Sequence, residues 1–194
     1  MTKVIGLTGG IGSGKTSIAN YFHSLGIPVY IADEESKNLL QSPEIRHRIR
    51  EEVGDSIFEN NTMSKHKLAE IVFNDSEALS RLNAIMHPAV KKHFEQWLKQ
   101  HSEFPIVIKE AAILFESGSY KDCDKIITVT TPVATRIRRV MERDKTSREN
   151  VLQRIKNQWS DEQRISKSDY VIENTDITTA YKQADEILKK LTIR

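Results

Sequence analysis

Gly9-Gly10-Ile11-Gly12-Ser13-Gly14-Lys15-Thr16 satisfies the pattern G-x-x-x-x-G-K-[ST] in full. The apolar run Val4 to Leu7 stands just before it, short enough for a strand buried on both faces. After it, Ile18, Ala19, Phe22 and Leu25 fall on one helix face, and Gly26 ends that helix. In a strand–loop–helix context of this kind, backbone N–H groups wrap around phosphate and the helix start adds a positive dipole end. Gly10, Ile11, Gly12, Ser13, Gly14, Lys15, Thr16 and Ser17 are therefore predicted to bind the phosphates of a nucleotide. Lys15 would reach the outer phosphates and the Thr16 hydroxyl would ligate Mg²⁺. The bland alternative, a glycine-rich turn that binds nothing, does not explain the complete motif in its full context.

Working outward, Ile27 to Ile31 reads as a second strand, with Asp33 directly after it. Pro105 to Ile108, Lys125 to Thr130 and Tyr170 to Ile172 are three further buried-strand candidates, and Ile177 to Leu191 a closing amphipathic helix. Short apolar strands alternating with helices predict an α/β chain with the P-loop NTPase fold, a mainly parallel five-stranded sheet flanked by helices. Two helical blocks are too long for ordinary crossovers. The first, Glu34 to Gln100, has turn signals at Ser42-Pro43 and Asn60-Asn61. Its last helix places Leu79, Leu82, Ile85, Met86, Val90, Phe94, Trp97 and Leu98 near one face, with a kink or restart expected at His87-Pro88. Phe58, Phe73, Phe94 and Trp97 are expected to form the core of this block, the alternative being that they hold part of an acceptor's arm. The second block, Pro132 to Lys167, is dense in arginine. Both read as insertions over the carboxyl edge of the sheet, where ligands bind in such folds. The chain is thus expected to be one domain over 1–194. Its nucleotide-binding core comprises 1–32, 101–131 and 168–194, with a helical substrate-binding insertion at 33–100 and a helical lid at 132–167.

Composition narrows the function from another side. Of the 194 residues 38% are hydrophobic and 29% charged, a soluble globular balance, and the formal charge is only +2. That leaves no general attraction to nucleic acid, although local basic clusters can hold phosphates. The lone Cys123 rules out an internal disulfide and fits a reducing compartment. Too few residues precede the glycine loop for a signal peptide, and no apolar stretch approaches the roughly 18 residues of a membrane span. The expected location is cytoplasmic.

GTPases, motors and metabolite kinases share the loop. No glycine here has an Asp three residues before it, so the D-x-x-G switch is missing. Ser166-Lys167-Ser168-Asp169 lacks the Asn of a guanine-reading N-K-x-D and precedes a strand rather than following one. A metabolite kinase needs an acceptor site, a group to orient the acceptor hydroxyl and a cationic lid. Asp33, just past the second strand, can orient a hydroxyl and take its proton late in the transfer, or it can simply cap a helix. Arg136, Arg139 and Arg143 share one stripe of a helix whose buried face carries Val133, Ile137, Val140 and Met141. The stripe suits a lid over phosphates, the alternative being a solvated face paired with Glu142, Asp144 and Glu149.

Over almost its whole length the chain resembles the dephospho-coenzyme A kinase family. Leu7-Thr8-Gly9-Gly10-Ile11-Gly12-Ser13-Gly14-Lys15 is similar to that family's form of the loop, and Leu82 to Pro88 to its helix ending in His-Pro. Ile113-Leu114-Phe115-Glu116 is similar to its Leu-Leu-Phe-Glu, Arg143-Asp144 with Arg154 to Gln158 to its lid, and Ser168 to Asn174 to its last strand. The resemblance implies transfer of the ATP γ-phosphoryl group to the ribose 3′-hydroxyl of dephospho-CoA, the last step of CoA synthesis. It implies Asp33, Lys15 and Arg139 as catalytic residues, and Arg143, Asn174 and Thr175 beside ATP. Asp33, His87, Leu114 and Glu116 would line the acceptor side, with 33–100 as the CoA region and Mg²⁺ held at Thr16. Where the family often has Asp and Pro, this chain has Lys109-Glu110-Ala111-Ala112, and Glu110 either replaces the Asp near the metal or is structural. Asn174-Thr175 likewise departs from a frequent Asn-Gly. The expected partners are ATP and dephospho-CoA, with no nucleic acid and no membrane, on a monomer or weak homo-oligomer. Two readings compete with this one: a kinase for another hydroxyl acceptor, and a catalytically silent module that uses ATP to close on a protein.

Overall fold

Lys3–Thr8 forms β1, and its five residues after Lys3 are all buried, as an apolar run covered on both faces must be. The computed structural model describes residues 2–59 and 62–192, so the turn expected at Asn60-Asn61 lies outside the described residues. The chain continues through α1 (Lys15–Ser24), β2 (Val29–Ile31), α2 (Ala32–Leu39), α3 (Pro43–Glu52), β3 (Phe58–Glu59), β4 (Thr62–Met63), α4 (Lys65–Asn74) and α5 (Ser76–Gln100). Then come β5 (Ile106–Glu110), β6 (Lys125–Thr130), α6 (Val133–Asp144), α7 (Arg148–Lys156), α8 (Asp161–Ile165), β7 (Tyr170–Glu173) and α9 (Ile177–Thr192). No helix among the described residues is long and apolar enough to cross a membrane.

The chain divides into two compact units, Met1–Ile31 with His101–Arg194, and Ala32–Gln100. The first holds a five-stranded sheet in the order β2-β5-β1-β6-β7. Every pairing in it is parallel, and the strands number five, as expected. Ile5, Leu7, Ile108, Ile127 and Val129 are buried with Ile18 and Phe22 of α1 and Ala180, Ala184 and Ile187 of α9. Each of the Ile, Leu, Val and Phe side chains among them contributes about 1.5–3 kcal/mol of gross burial energy. Register places the site. Leu7 pairs with Glu110 on one side and Ile127 on the other, so the carboxylate of Glu110 lies beside the end of β1, where the glycine loop begins. Thr130 pairs with Glu173, which sets Thr131 and Asn174 side by side just past the strand ends.

The unit Ala32–Gln100 has its own core, in which Ile45, Ile49, Ile57, Met63, Leu68, Ile85 and Met86 are buried together. Phe58 packs against that cluster, whereas Phe94 is buried and lies 6.0 Å from Trp97, ring centre to ring centre. The side chain of Phe73 lies outside the described residues. Two findings differ from the sequence reading. The helix expected to kink or restart at His87-Pro88 does not restart: it runs as one element from Ser76 to Gln100 with Pro88 inside it. A two-residue hairpin of β3 and β4, too short to leave a period in the sequence, sits in a block read as helical.

Candidate active site

The glycine loop turns back on itself through a bond from Ser13 N–H to the Gly10 carbonyl, 3.0 Å, and enters α1 at Gly14. Gly14 has φ 88°. A side chain there would be strained and would run into the amide of Asn174. The N–H groups of Lys15 and Thr16 open the helix and have no intrahelical acceptor, which suits an anion. Lys15 lies 3.3 Å from Glu110 Oε1, the lysine side chain 15% exposed and the glutamate 2%. Glu110, left between two roles by the sequence, is thus the carboxylate that faces the loop lysine. Thr16 and Ser17 are exposed in the first turn of α1.

Behind the loop, Asn174 is buried and its Nδ2 donates to the Ser13 carbonyl at 2.8 Å. Thr131 Oγ1 lies 3.0 Å from both the Ser13 and Asn174 carbonyls and can donate to one at a time. Asn174, expected beside the nucleotide, therefore also braces the loop that would carry it. Thr175 is exposed next to it.

The arginine stripe divides. Arg139 is half-buried and donates from Nη2 to the Asn174 carbonyl at 3.3 Å, so it stands over the helix end of the loop. Arg143 is exposed and bonded through Nε to Asp144 at 2.6 Å, and Arg154 of α7 reaches the other oxygen of that carboxylate at 2.6 Å. Hydrogen bonds from these two guanidinium groups hold Asp144 well below the usual carboxylate range. Arg136 is buried rather than aimed into a cleft: its Nε donates to the Ile11 carbonyl at 2.9 Å and its Nη1 to Asp161 at 3.0 and 3.1 Å. On the buried face of α6, Ile137 and Val140 pack against Val151, with Met141 beside them. Val133, expected on that face, is exposed.

Glu116 accepts from Trp159 N–H at 2.9 Å and from the fully buried Arg164 at 3.3 Å, while its Oε2 is buried without a partner. Arg164 also donates to Asp161 at 3.3 Å. Burial lowers the pKa of Arg164, and the carboxylates of Glu116 and Asp161 oppose that shift. Phe115 stacks on Trp159 with rings 3° from parallel. Leu114, expected on the acceptor side, has a wholly buried side chain. Gln158, which accepts from Ile11 N–H at 2.9 Å, was legible only as part of a motif, and Asp161 and Arg164 carried no signal beyond their i, i+3 spacing.

In the other unit, Asp33 is exposed at the second residue of α2, inside the helix rather than capping it. Negative charge is favoured in such a first turn. His87 is exposed on α5.

A family model described as dephospho-CoA kinase matches residues 3–179. A dephospho-CoA kinase of Bacteroides fragilis is 41% identical over 175 residues, covering 90% of this chain and 85% of the relative. Among solved structures, TT1252 from Thermus thermophilus superposes with a TM-score of 0.90 at 31% identity, over 100% of this chain and 99% of the other. A dephospho-CoA kinase from Campylobacter jejuni does so with a TM-score of 0.73 at 26% identity, over 99% and 98%.

Proposed function

Since the chain belongs to the dephospho-CoA kinase family, and is thereby an ATP-dependent phosphotransferase, we propose that Lys15, Arg139 and Asp33 carry the transfer to dephospho-CoA. The observation that carries this reading is the Lys15–Glu110 pair, 3.3 Å long, at the mouth of a complete phosphate loop. A lysine held there by a buried carboxylate is poised to exchange it for the outer phosphates of ATP. The loop N–H groups and the start of α1 take the remaining phosphate charge. Arg139, over the end of the loop, stabilises the charge of the moving phosphoryl group, Arg143 joins it from the exposed side, and Asn174 and Thr175 lie towards the adenine.

Asp33 orients the ribose 3′-hydroxyl. The hydroxyl oxygen attacks the γ-phosphorus as the bond to the ADP oxygen breaks, and the hydroxyl proton passes to Asp33 late in the transfer. Glu116, with one oxygen unpartnered, and His87 serve the acceptor, and 33–100 is its binding region. The exposed Thr16 hydroxyl is a hard-oxygen donor that fits Mg²⁺, which takes one or two protein ligands and fills the rest from phosphates and water, and the buried Glu110 carboxylate would be its outer-sphere partner. Bound there, the ion would neutralise charge on the transferring phosphates. A cytoplasmic location and a monomer or weak homo-oligomer accompany this reading.

ADP formation with ATP and Mg²⁺ should be measured against dephospho-CoA, adenosine and gluconate. Turnover with dephospho-CoA alone, giving a 3′-phosphorylated product, is expected. Asp33→Asn should lower kcat by on the order of a hundredfold or more. Near-normal turnover of that variant would remove Asp33 from the reaction.

A further inference from the structure

We propose that Arg136 is a positioning residue for phosphoryl transfer, clamping the outer turn of the phosphate loop through its buried guanidinium rather than touching phosphate. Arg136 is 3% exposed and Arg164 is 0% exposed. From the loop they form one chain of charged hydrogen bonds: the Ile11 carbonyl, Arg136, Asp161, Arg164 and Glu116. Two guanidinium groups meet two carboxylates, so the chain is neutral and has no spare charge for a phosphate. What it supplies is geometry.

Both polar groups of Ile11 are held by side chains of 132–167. The carbonyl takes Arg136 Nε at 2.9 Å and the N–H gives to Gln158 Oε1 at 2.9 Å. That fixes the peptides on either side of Ile11 and, with them, the Gly10–Ser13 turn. Gly10 lies flat against the guanidinium, and any side chain there would strike it. With the turn fixed from behind, the N–H groups further along face the phosphates without first having to order. Preorganisation of this kind is worth most where charge develops in the transition state. The far end of the chain is Glu116, so the same bonds hold the loop and the acceptor-side carboxylate in one frame. A lysine could not substitute, because the forked guanidinium serves the Ile11 carbonyl and Asp161 together and a point ammonium cannot.

The inference rests on the kinase reading only for its kinetic half, and the test separates the two. The 194-residue chain would be compared with Arg136→Lys, Asp161→Asn and the double variant. Three measurements are needed: ATP affinity by calorimetry without acceptor, steady-state constants for both substrates, and the melting temperature. A clamp predicts ATP affinity on the order of tenfold weaker and kcat/KM for ATP up to about a hundredfold lower, with KM for dephospho-CoA within twofold. The double variant should be no worse than the poorer single one, since both break the same chain. A folded Arg136→Lys with ATP affinity and kcat within twofold of wild type overturns the proposal, even where its melting temperature falls. Should Arg136→Lys not fold, Asp161→Asn decides the matter by the same criteria. Lack of wild-type turnover on dephospho-CoA would sink the acceptor assignment while leaving the calorimetric comparison intact.

Discussion

Lys15 is paired with Glu110, and on the proposed reading it exchanges that carboxylate for phosphate, a second anion, when ATP binds. The sequence made the second legible through the loop motif. The first was not, because Glu110 comes from a distant strand and only the register of β1 against β5 brings it in. Lys15→Ala is expected to abolish turnover and also to destabilise the chain, by at most about 3 kcal/mol, because it removes the cation from a buried ion pair. Adding Glu110→Gln should restore most of the stability and none of the turnover. Urea denaturation of the three variants checks this, and an unchanged midpoint for Lys15→Ala would mean that the pair has no weight. Cys123 gives a residue-scale prediction of another kind. Burial pushes its thiol up to about 12 from an ordinary 9.0. A raised thiol pKa stabilises the fold fully below the unfolded value, and that contribution is lost as pH rises towards the folded one. Iodoacetamide at pH 8 should therefore label the native chain far more slowly than the urea-unfolded one, read by mass. Equal rates would mean that the thiol is open in the native state.

At the scale of elements, strands were the most legible parts, because an apolar run between turn residues in an α/β chain has little else to become. Lys125–Thr130 matches its expected bounds, and β5 runs on to Glu110, two residues beyond the apolar run, because Lys109 and Glu110 find charged partners, Asp122 and Lys15. Pro88 does not restart its helix, for a physical reason. A proline costs a helix one bond, but the buried Ile85, Met86 and Phe94 on the same helix hold it continuous through that loss. The stripe of Arg136, Arg139 and Arg143 was legible as one face, yet periodicity cannot say which guanidinium will meet a carboxylate brought by another helix. The helix that brings it, α8, is five residues long and held by a capping box between Ser160 and Gln163. So short a helix depends on its cap. Ser160→Ala is expected to cost about 1 kcal/mol in urea denaturation and to weaken ATP affinity through Asp161. A change below about 0.3 kcal/mol would show that the packing of Arg164 alone holds α8.

For the whole molecule, the strand–loop–helix start was the clearest signal in the sequence, and the organisation of the long block at 32–100 the weakest. That block closes on a cluster of its own, Ile45, Ile49, Ile57 and Met63 with Ile85 and Met86, and shares none of the sheet's core residues. Separate cores allow separate stabilities, and nucleotide should stabilise the unit that carries the phosphate loop. The chain's two tryptophans report on this, since Trp97 lies in one unit and Trp159 in the other. In Trp97→Phe the remaining indole, stacked on Phe115, follows the sheet-containing unit, and in Trp159→Phe the remaining one, beside Phe94, follows the helical unit. ATP at a hundred times its dissociation constant adds about 2.7 kcal/mol to whatever unfolds together with its site. The unfolding free energy reported by Trp159 is expected to rise by that amount, and the one reported by Trp97 by distinctly less. Equal rises at both positions would mean that the chain unfolds as a single cooperative body, in which case the coupling between its two cores must be comparable to the binding energy itself.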